Sequence, residues 1–451
     1  MRVKDTLKEL LRYPSAIIGL TIILLLLALA VYAVVTIPYS EAVRLWRGGK
    51  DRSTGMDIWY QNPKYAGPVW LNLLRRNKLP ETMVLNTADG TAQKEVITGT
   101  VNTITMTFPF EYEADTFPAD MMVYFDATYK EKKPHVSMSW TKPDGTVVRI
   151  ADMSVETGQV YAFGQDQKLQ RKLGGVSPVK GLFAEDPKAQ PLVVQKGQYQ
   201  LQILGFTFEP DSDLDAELVI YGQLAGLFGT DHLRRDLGVA LLWGTPVALA
   251  FGLLAALGTT ITTMAIAAIA TWYGGWLDSL IQRITQVNMV LPFLPILIMI
   301  GVFYSRSIFV ILGATIVLSI FGQAIIYYRS VFLQVKEAGY IDAARAYGAG
   351  NWRIIFSYLT PRIIPMMIPA LVIGIPVYVF LEASLAVLGL GDPSLPTWGK
   401  VISDAQANGA LYQGLYYWVL EPAVLLVICG MAFALLGFSL DRIFNPRLRG
   451  Q

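Results

Sequence analysis

Six apolar runs dominate this chain, at approximately 16–37, 245–272, 284–304, 307–327, 363–381 and 419–440. Each approaches or exceeds the roughly 20 helical residues needed to cross a hydrocarbon core about 30 Å thick. Lipid offers the backbone no hydrogen bonds, so a spanning segment must satisfy its own amides, and a chain with several such runs is confined to a helical membrane fold. Composition agrees, since 53% of the 451 residues are hydrophobic and only 16% are charged. That is too apolar for a soluble domain of this size.

The placement of Lys and Arg close to the spans predicts orientation. Arg2, Lys4, Lys8 and Arg12 precede the first run. Arg329, Lys336, Arg345, Arg353 and Arg362 follow the fourth, and Arg442, Arg447 and Arg449 follow the sixth. These segments are expected in the cytoplasm, and an even number of spans lets both termini share that side. Ala28-Leu29-Ala30 in the first run resembles a signal-peptide cleavage site, but the run is longer than a usual signal core, so an uncleaved anchor is expected. The net charge of +2 gives no reason to expect nucleic acid. Cys429 is the only cysteine, and His135 and His232 are far apart. Neither a disulfide framework nor a metal site is therefore expected.

Between the first two runs lies an insertion of about 190 residues, at 38–228, which this topology places outside the cell. It is too long for a plain loop. Ile104, Met106 and Phe108 alternate along a predicted strand, as do Val136, Met138 and Trp140. The latter run into Lys142-Pro143-Asp144-Gly145, a turn sequence from which Val147, Val148 and Ile150 return. Tyr199, Leu201 and Ile203 follow a Lys196-Gly197 turn, and Leu218 and Ile220 give a last strand. The pattern predicts a β-sandwich-like domain, with Phe108, Phe110, Tyr112, Tyr124 and Phe125 as core. Residues 40–77, rich in Arg, Trp and Gly, are less regular and are expected on the membrane or beneath the sandwich.

The stretch 340–365, YIDAARAYGAGNWRIIFSYLTPRIIP, is polar, basic and broken by glycine between two apolar runs. Residues 340–347 are predicted as a short helix, with Gly348 and Gly350 supplying left-handed geometry at its end. Asn351 is a predicted N-cap for a second segment carrying Trp352, Ile355, Phe356 and Leu359, which Pro361 should break. Charge and periodicity alone fit both a contact for a soluble partner and an ordinary cytoplasmic loop with interfacial helices.

The spacing resembles the EAA loop of ABC importer permeases, E-A-A, three residues, G, nine residues, I-x-L-P. Asp342-Ala343-Ala344, Gly348 and Pro361 fall at matching intervals, with Asp342 for Glu, Tyr358 for Ile and Thr360 for Leu. Four more segments resemble the oligopeptide and dipeptide branch of these permeases. They are Gly229-Thr230-Asp231 to Arg235-Asp236, with Arg234 for a glycine, and Tyr273-Gly274-Gly275-Trp276-Leu277-Asp278 with Arg283, where Gln286 replaces a usual Asp. Then come Glu382-Ala383-Ser384-Leu385 with Gly389-Leu390-Gly391 and Pro396-Thr397-Trp398-Gly399, and finally Asp441 with Asn445-Pro446-Arg447-Leu448-Arg449, where Asn445 replaces Asp. The insertion lies outside the resemblance.

What the resemblance implies is a mainly α membrane protein of the type I importer kind with six spans. Residues 1–37 would be the N-terminus and first span, 38–228 the β-rich domain and 229–451 the permease core. It implies a multi-pass subunit of the cell membrane, in contact with lipid, pairing with a homologous permease, two cytoplasmic ATPase subunits and an extracytoplasmic solute-binding protein. Peptides are the expected cargo. The chain shows no G-x-x-x-x-G-K-[ST], so no cofactor or catalytic residue is expected here, and ATP would be hydrolysed by the partners. The ATPase contact would use Asp342, Ala343, Ala344, Arg345, Gly348 and Pro361. At the outer segment, Asp231, Arg235 and Asp236 would form a gate or docking surface, or else Thr230 or Asp231 would cap the approach to the second span. Glu382 and Glu421 lie near the outer ends of their spans and are candidate pathway residues. Gly389, Gly391 and Trp398 belong to a loop expected to be poorly helical, to dip inward and to help close the pathway. For the insertion, the sharper reading is a platform holding the binding protein over the pore. A secondary transporter would need coupling charges in its spans, and an anchored receptor would need an output domain, not expected after Leu440.

Overall fold

The computed structural model describes residues 9–50, 56–99 and 101–444. Arg2, Lys4, Lys8 and the 445–449 ending fall outside these. Two compact units emerge, Met1–Arg47 with Val239–Gln451, and Gly48–Gly238.

The first unit is helical. Among the described residues, four helices are long and apolar enough to cross a membrane: Pro14–Thr36, Leu237–Tyr273, Asn351–Leu390 and Tyr416–Phe444. Two bent pairs, Gly275–Val290 with Phe293–Phe303 and Ile308–Ile320 with Gln323–Lys336, raise the number to as many as six if each pair is one span. The apolar runs expected at 284–304 and 307–327 fall within these two pairs, the first bent by 80° and the second by 45°. Pro292, which has no N–H, stands at the first break. At the second, freed carbonyls find side-chain donors. Asn288 Nδ2 donates to Leu318 O at 2.9 Å and Phe321 O at 3.1 Å, and Thr263 Oγ1 donates to Ile320 O at 3.0 Å. Such repayment is what makes a broken helix tolerable in an apolar surround.

Small residues set how closely these helices approach. A Cβ on Gly19 would lie 2.6 Å from Ala432 O, so the Pro14–Thr36 and Tyr416–Phe444 helices touch backbone to backbone there. Ser15 Oγ and Ser439 Oγ share a hydrogen bond of 3.0 Å at the same interface.

The second unit is two antiparallel sheets. Strands β1 (Met83–Asn86), β4 (Asp120–Thr128), β7 (Val160–Ala162) and β9 (Asp213–Tyr221) form one, in the order β1-β9-β4-β7. Strands β2 (Gln93–Ile97), β3 (Asn102–Tyr112), β5 (His135–Thr141), β6 (Val147–Ser154) and β8 (Gly197–Thr207) form the other, in the order β2-β3-β8-β5-β6. The alternating residues of β3, β5 and β8 point into one core with Met121, Val123, Phe125, Leu214 and Leu218 of the facing sheet. The expected turn is formed, with Gly145 N–H donating to Lys142 O at 2.9 Å and φ of 82° at Gly145. Tyr124 departs from its expected place. It sits outside that core in a second cluster with Val219 and Tyr221, because Phe125 takes the inward position on β4.

Residues 40–77 divide. Tyr39–Arg47 is a helix belonging to the helical unit, while the described part of 56–77 belongs to the β-rich unit.

Candidate functional site

The 340–365 stretch builds a short helix, Gly339–Ala346. Ile341 and Ala344 turn inward, while Asp342, Ala343, Arg345 and Ala346 face out. Of the two alanines expected to admit a partner, only Ala343 is free to do so, since Ala344 packs within the chain. Ala349 N–H donates to Ala344 O at 3.0 Å and Gly348 N–H to Arg345 O at 2.9 Å, a Schellman closure with Gly348 at φ +78°. Gly350, expected to share that geometry, instead has φ of −67° and is the N-cap of the next helix, the position expected for Asn351. Asn351 is the first helical residue, and no side chain caps this end.

Pro361 does not break the second segment. The helix runs on from Asn351 to Leu390, and a π turn at Ile354–Leu359 lets Thr360 N–H donate to Ile355 O, five residues back. This wider turn makes room for the proline ring that a regular α-helix would exclude. Ile354, Ile355 and Leu359 are buried, whereas Trp352 and Phe356 stack outward with ring centres 5.8 Å apart.

Arg345 lies 3.6 Å from Asp342, and its guanidinium covers the Trp272 ring at 4.6 Å. The ion pair is exposed and worth roughly 0–1 kcal/mol, so the ring contact is the more telling constraint. Lys336 Nζ donates to Thr271 O at 2.9 Å and Trp272 O at 3.0 Å, closing the end of the Leu237–Tyr273 helix. Tyr340, Ala343, Ala344, Tyr347, Gly348, Ala349, Arg353 and Tyr358 line a shallow depression of about 460 Å³. Nearby, Asp278 receives Arg329 through bonds of 2.7 and 2.5 Å. Neither the Trp272 contact nor this pair was readable from the sequence, because their partners lie dozens of residues away.

Around residue 382, expectation and structure part in one respect. Within the 389–399 loop expected to be poorly helical, Gly389 has a non-helical φ of 87° and ends the π turn Ala386–Leu390, whereas Trp398 begins a helix, Trp398–Ala407. Gly391 is extended, and the chain from Leu395 to Gly399 is buried as expected. Trp398 is fully buried and donates Nε1–H to Leu241 O at 2.9 Å. A Cβ on Gly244 would lie 2.3 Å from its ring, and one on Gly399 would lie 2.6 Å from Ala383 Cα. Glu382 is 7% exposed, with Thr397 as its hydrogen-bonding neighbour. Glu421 is half-buried in the second turn of Tyr416–Phe444.

The outer segment lies in the β-rich unit as a tight buried loop. Thr230 and Asp236 bridge antiparallel, and Leu237 N–H donates to Gly229 O at 3.1 Å. Asp231 is fully buried, and Arg235 Nε donates to its Oδ2 at 2.6 Å, while its Oδ1 accepts Leu233 N–H and Arg235 N–H. Thr230 Oγ1 donates to Pro63 O at 2.7 Å and accepts Ala66 N–H at 3.1 Å. The cap is therefore Asp236 rather than Thr230 or Asp231, since Asp236 Oδ1 accepts Gly238 N–H at 2.8 Å in the first turn of the helix. Arg234, standing for a glycine, carries φ of +66°. Its Nη1 donates to Asn62 O at 2.8 Å and Tyr60 O at 3.2 Å, and its guanidinium covers Tyr221 at 4.5 Å.

Long apolar helices joined to a β-rich unit define a multi-pass membrane protein. Residues 261–450 match the family described as binding-protein-dependent transport system inner membrane component. The chain is 30% identical over 225 residues to a dipeptide transport system permease protein, DppC, of Alkalihalophilus pseudofirmus, covering 49% of this chain and 72% of that protein. It is 28% identical over 223 residues to the oligopeptide transport system permease protein OppC of Bacillus subtilis, with the same two shares. A glutathione transport system permease protein, GsiD, of Pectobacterium atrosepticum is likewise 28% identical over 224 residues, 49% of this chain and 72% of that protein. The chain belongs to the permeases of ABC importers, in the peptide branch.

Proposed function

We propose that this chain is one of two membrane subunits of an ATP-driven peptide importer. Its helices, counted as six with each bent pair as one span, form half of the translocation pathway beside a homologous permease. Both termini and the 340–361 loop face the cytoplasm, and the β-rich unit faces outward. The helix Gly339–Ala346 seats in one of two ATPase subunits, and closure of the ATPase pair moves it as a lever. A solute-binding protein delivers cargo from outside, with the β-rich unit as its platform. Glu382, Gly389, Gly391 and Trp398 belong to the outer closure of the pathway, with Glu421 a further pathway residue.

The observation that carries this is the outward face of Gly339–Ala346. It offers Asp342, Ala343 and Arg345 on a helix ended by Gly348 and braced from behind by Ile341 and Ala344. A short helix so braced transmits force, and its small outer residues admit a close partner. Pull-down of the ATPase subunits after Ala343→Trp tests it, because Ala343 is exposed and its replacement leaves the internal packing intact. Lost ATPase association with retained membrane insertion is expected. Unchanged assembly and uptake would refute the assignment. Co-purification of the unaltered chain with a nucleotide-binding subunit separates this reading from a secondary transporter or an anchored receptor.

A further inference from the structure

The β-rich unit carries an apolar tip that its own fold does not cover. The three most exposed large apolar side chains among its described residues are Leu73 at 87%, Leu74 at 77% and Leu227 at 72%. They come from segments far apart in sequence that are laced together. Val69 N–H donates to Gly226 O and Trp70 Nε1–H to Leu227 O, both at 3.0 Å. The polar edge of Trp70 is thereby satisfied, and its ring is left partly exposed beside the leucines. Arg75 and Arg76 follow directly and are exposed, with exposed Lys78 two residues on.

Order and burial here differ from an ordinary surface loop. Leu71 and Val69 are half-buried and hold the short 3-10 helix Val69–Leu73 in place, so Leu73 and Leu74 are presented by a fixed backbone. An indole with its N–H paired and its ring outward, two fully presented leucines and a following cluster of cations form the residue set that sits at a membrane surface. Chain connectivity supports that occupant. Leu227 stands two residues before Gly229, whose carbonyl accepts Leu237 N–H at 3.1 Å, and Leu237 is the first residue of an apolar helix of membrane-spanning length. Leu227 is therefore close along the chain to the first residue of that helix, and the Gly229–Leu237 bond shortens the path between them.

We propose that Trp70, Leu73, Leu74 and Leu227 dock on the outer leaflet of the membrane and that Arg75 and Arg76 pair with anionic lipid headgroups. The apolar side chains remove their exposed surface from water, and the guanidinium groups meet phosphate oxygens bidentately. This rests on the proposed topology, which puts the β-rich unit outside, and is independent of which ATPase or cargo the chain serves.

Nitroxide labels on the full-length chain test it, placed singly by Leu73→Cys, Leu227→Cys and Val147→Cys in a Cys429→Ala background. Val147, exposed on β6, is the reference for water. In vesicles of phosphatidylethanolamine with phosphatidylglycerol, labels at 73 and 227 should report immersion of about 5–10 Å by oxygen against nickel-chelate relaxation, while that at 147 reports water. Equal nickel accessibility at all three sites overturns the proposal. Shielding of 73 and 227 that arises only when a solute-binding protein is added overturns it in favour of a protein dock. In phosphatidylcholine alone, or with Arg75→Gln and Arg76→Gln together, immersion should become shallower. Unchanged depth in both removes the headgroup pairing. Leu73→Cys and Leu227→Cys both alter exposed positions, so loss of fold at one leaves the other to decide.

Discussion

At the residue scale, the outer segment shows how one short motif can be spent on internal structure. Asp231 and Arg235 are buried together at 0% and 6% side-chain exposure, where an ion pair stabilises little by itself but an orphaned partner is costly. Arg235→Ala takes the cationic partner from the buried Asp231 carboxylate, leaving its backbone donors Leu233 N–H and residue 235 N–H, and should cost about 3–5 kcal/mol locally. Native-state hydrogen exchange reads it, as a loss of protection at the amides of Ala66, Thr230 and Leu237, which bond across this loop. Unaltered protection there would show that the pair contributes nothing. The sequence displayed these charges plainly. Their roles were only half legible, because Asp236 rather than Asp231 reaches the first helical turn, and a spacing of a few residues cannot say which carboxylate a tight turn aims at the helix. Arg234 is the sharper case. A residue standing for glycine keeps the left-handed backbone at a cost of order 1 kcal/mol, and its contacts with Tyr60, Asn62 and Tyr221 offset it.

At the scale of elements, alternation in β3, β5 and β8 was readable because a strand's period of two survives any neighbour. The missed strands lack a readable alternation: β1 and β7 are four and three residues long, β2 is exposed at nearly every position, and β4 carries apolar Met122 and Tyr124 on the face opposite Met121, Val123 and Phe125. The bent helices were hidden for the opposite reason. Their apolar runs read as continuous across Pro292 at the first break, and the donors that serve the second, Asn288 and Thr263, sit on other segments. Connections between strands carry their own chemistry. Glu209, in the β8–β9 turn, accepts the amides of Lys130, Glu131 and Lys132 from the β4–β5 connection. These three bonds hold its carboxyl down from 4.5 to about 2. Because the folded value is depressed, the tie is at full strength above pH about 4.5 and is lost as pH falls through about 2. Protection factors of the 130–132 amides should therefore fall across that window. Glu209→Gln, which cannot ionise, should flatten the dependence. An equal fall in the variant would assign the effect elsewhere.

At the scale of the whole molecule, family membership describes the helical unit and is silent on the β-rich one, since the family match begins at residue 261. The two units can be separated by experiment because each has its own core. Removing residues 48–238 and rejoining the chain with a flexible linker should weaken capture of the solute-binding protein while ATPase association persists. Equal affinity for the binding protein with and without the unit would remove the platform role.

The bond between Ser15 and Ser439 joins residues 424 positions apart, and Gly19 lets the two helices meet without intervening side chains. During synthesis at ~5–20 residues per second, the earlier helix waits roughly 20–90 s for the later one to be made. Over that interval the face around Gly19 is open to whatever insertion factor or lipid is at hand. Assembly of the helical unit is thus a closing of its two ends, and the β-rich unit has emerged in full before that closing can begin.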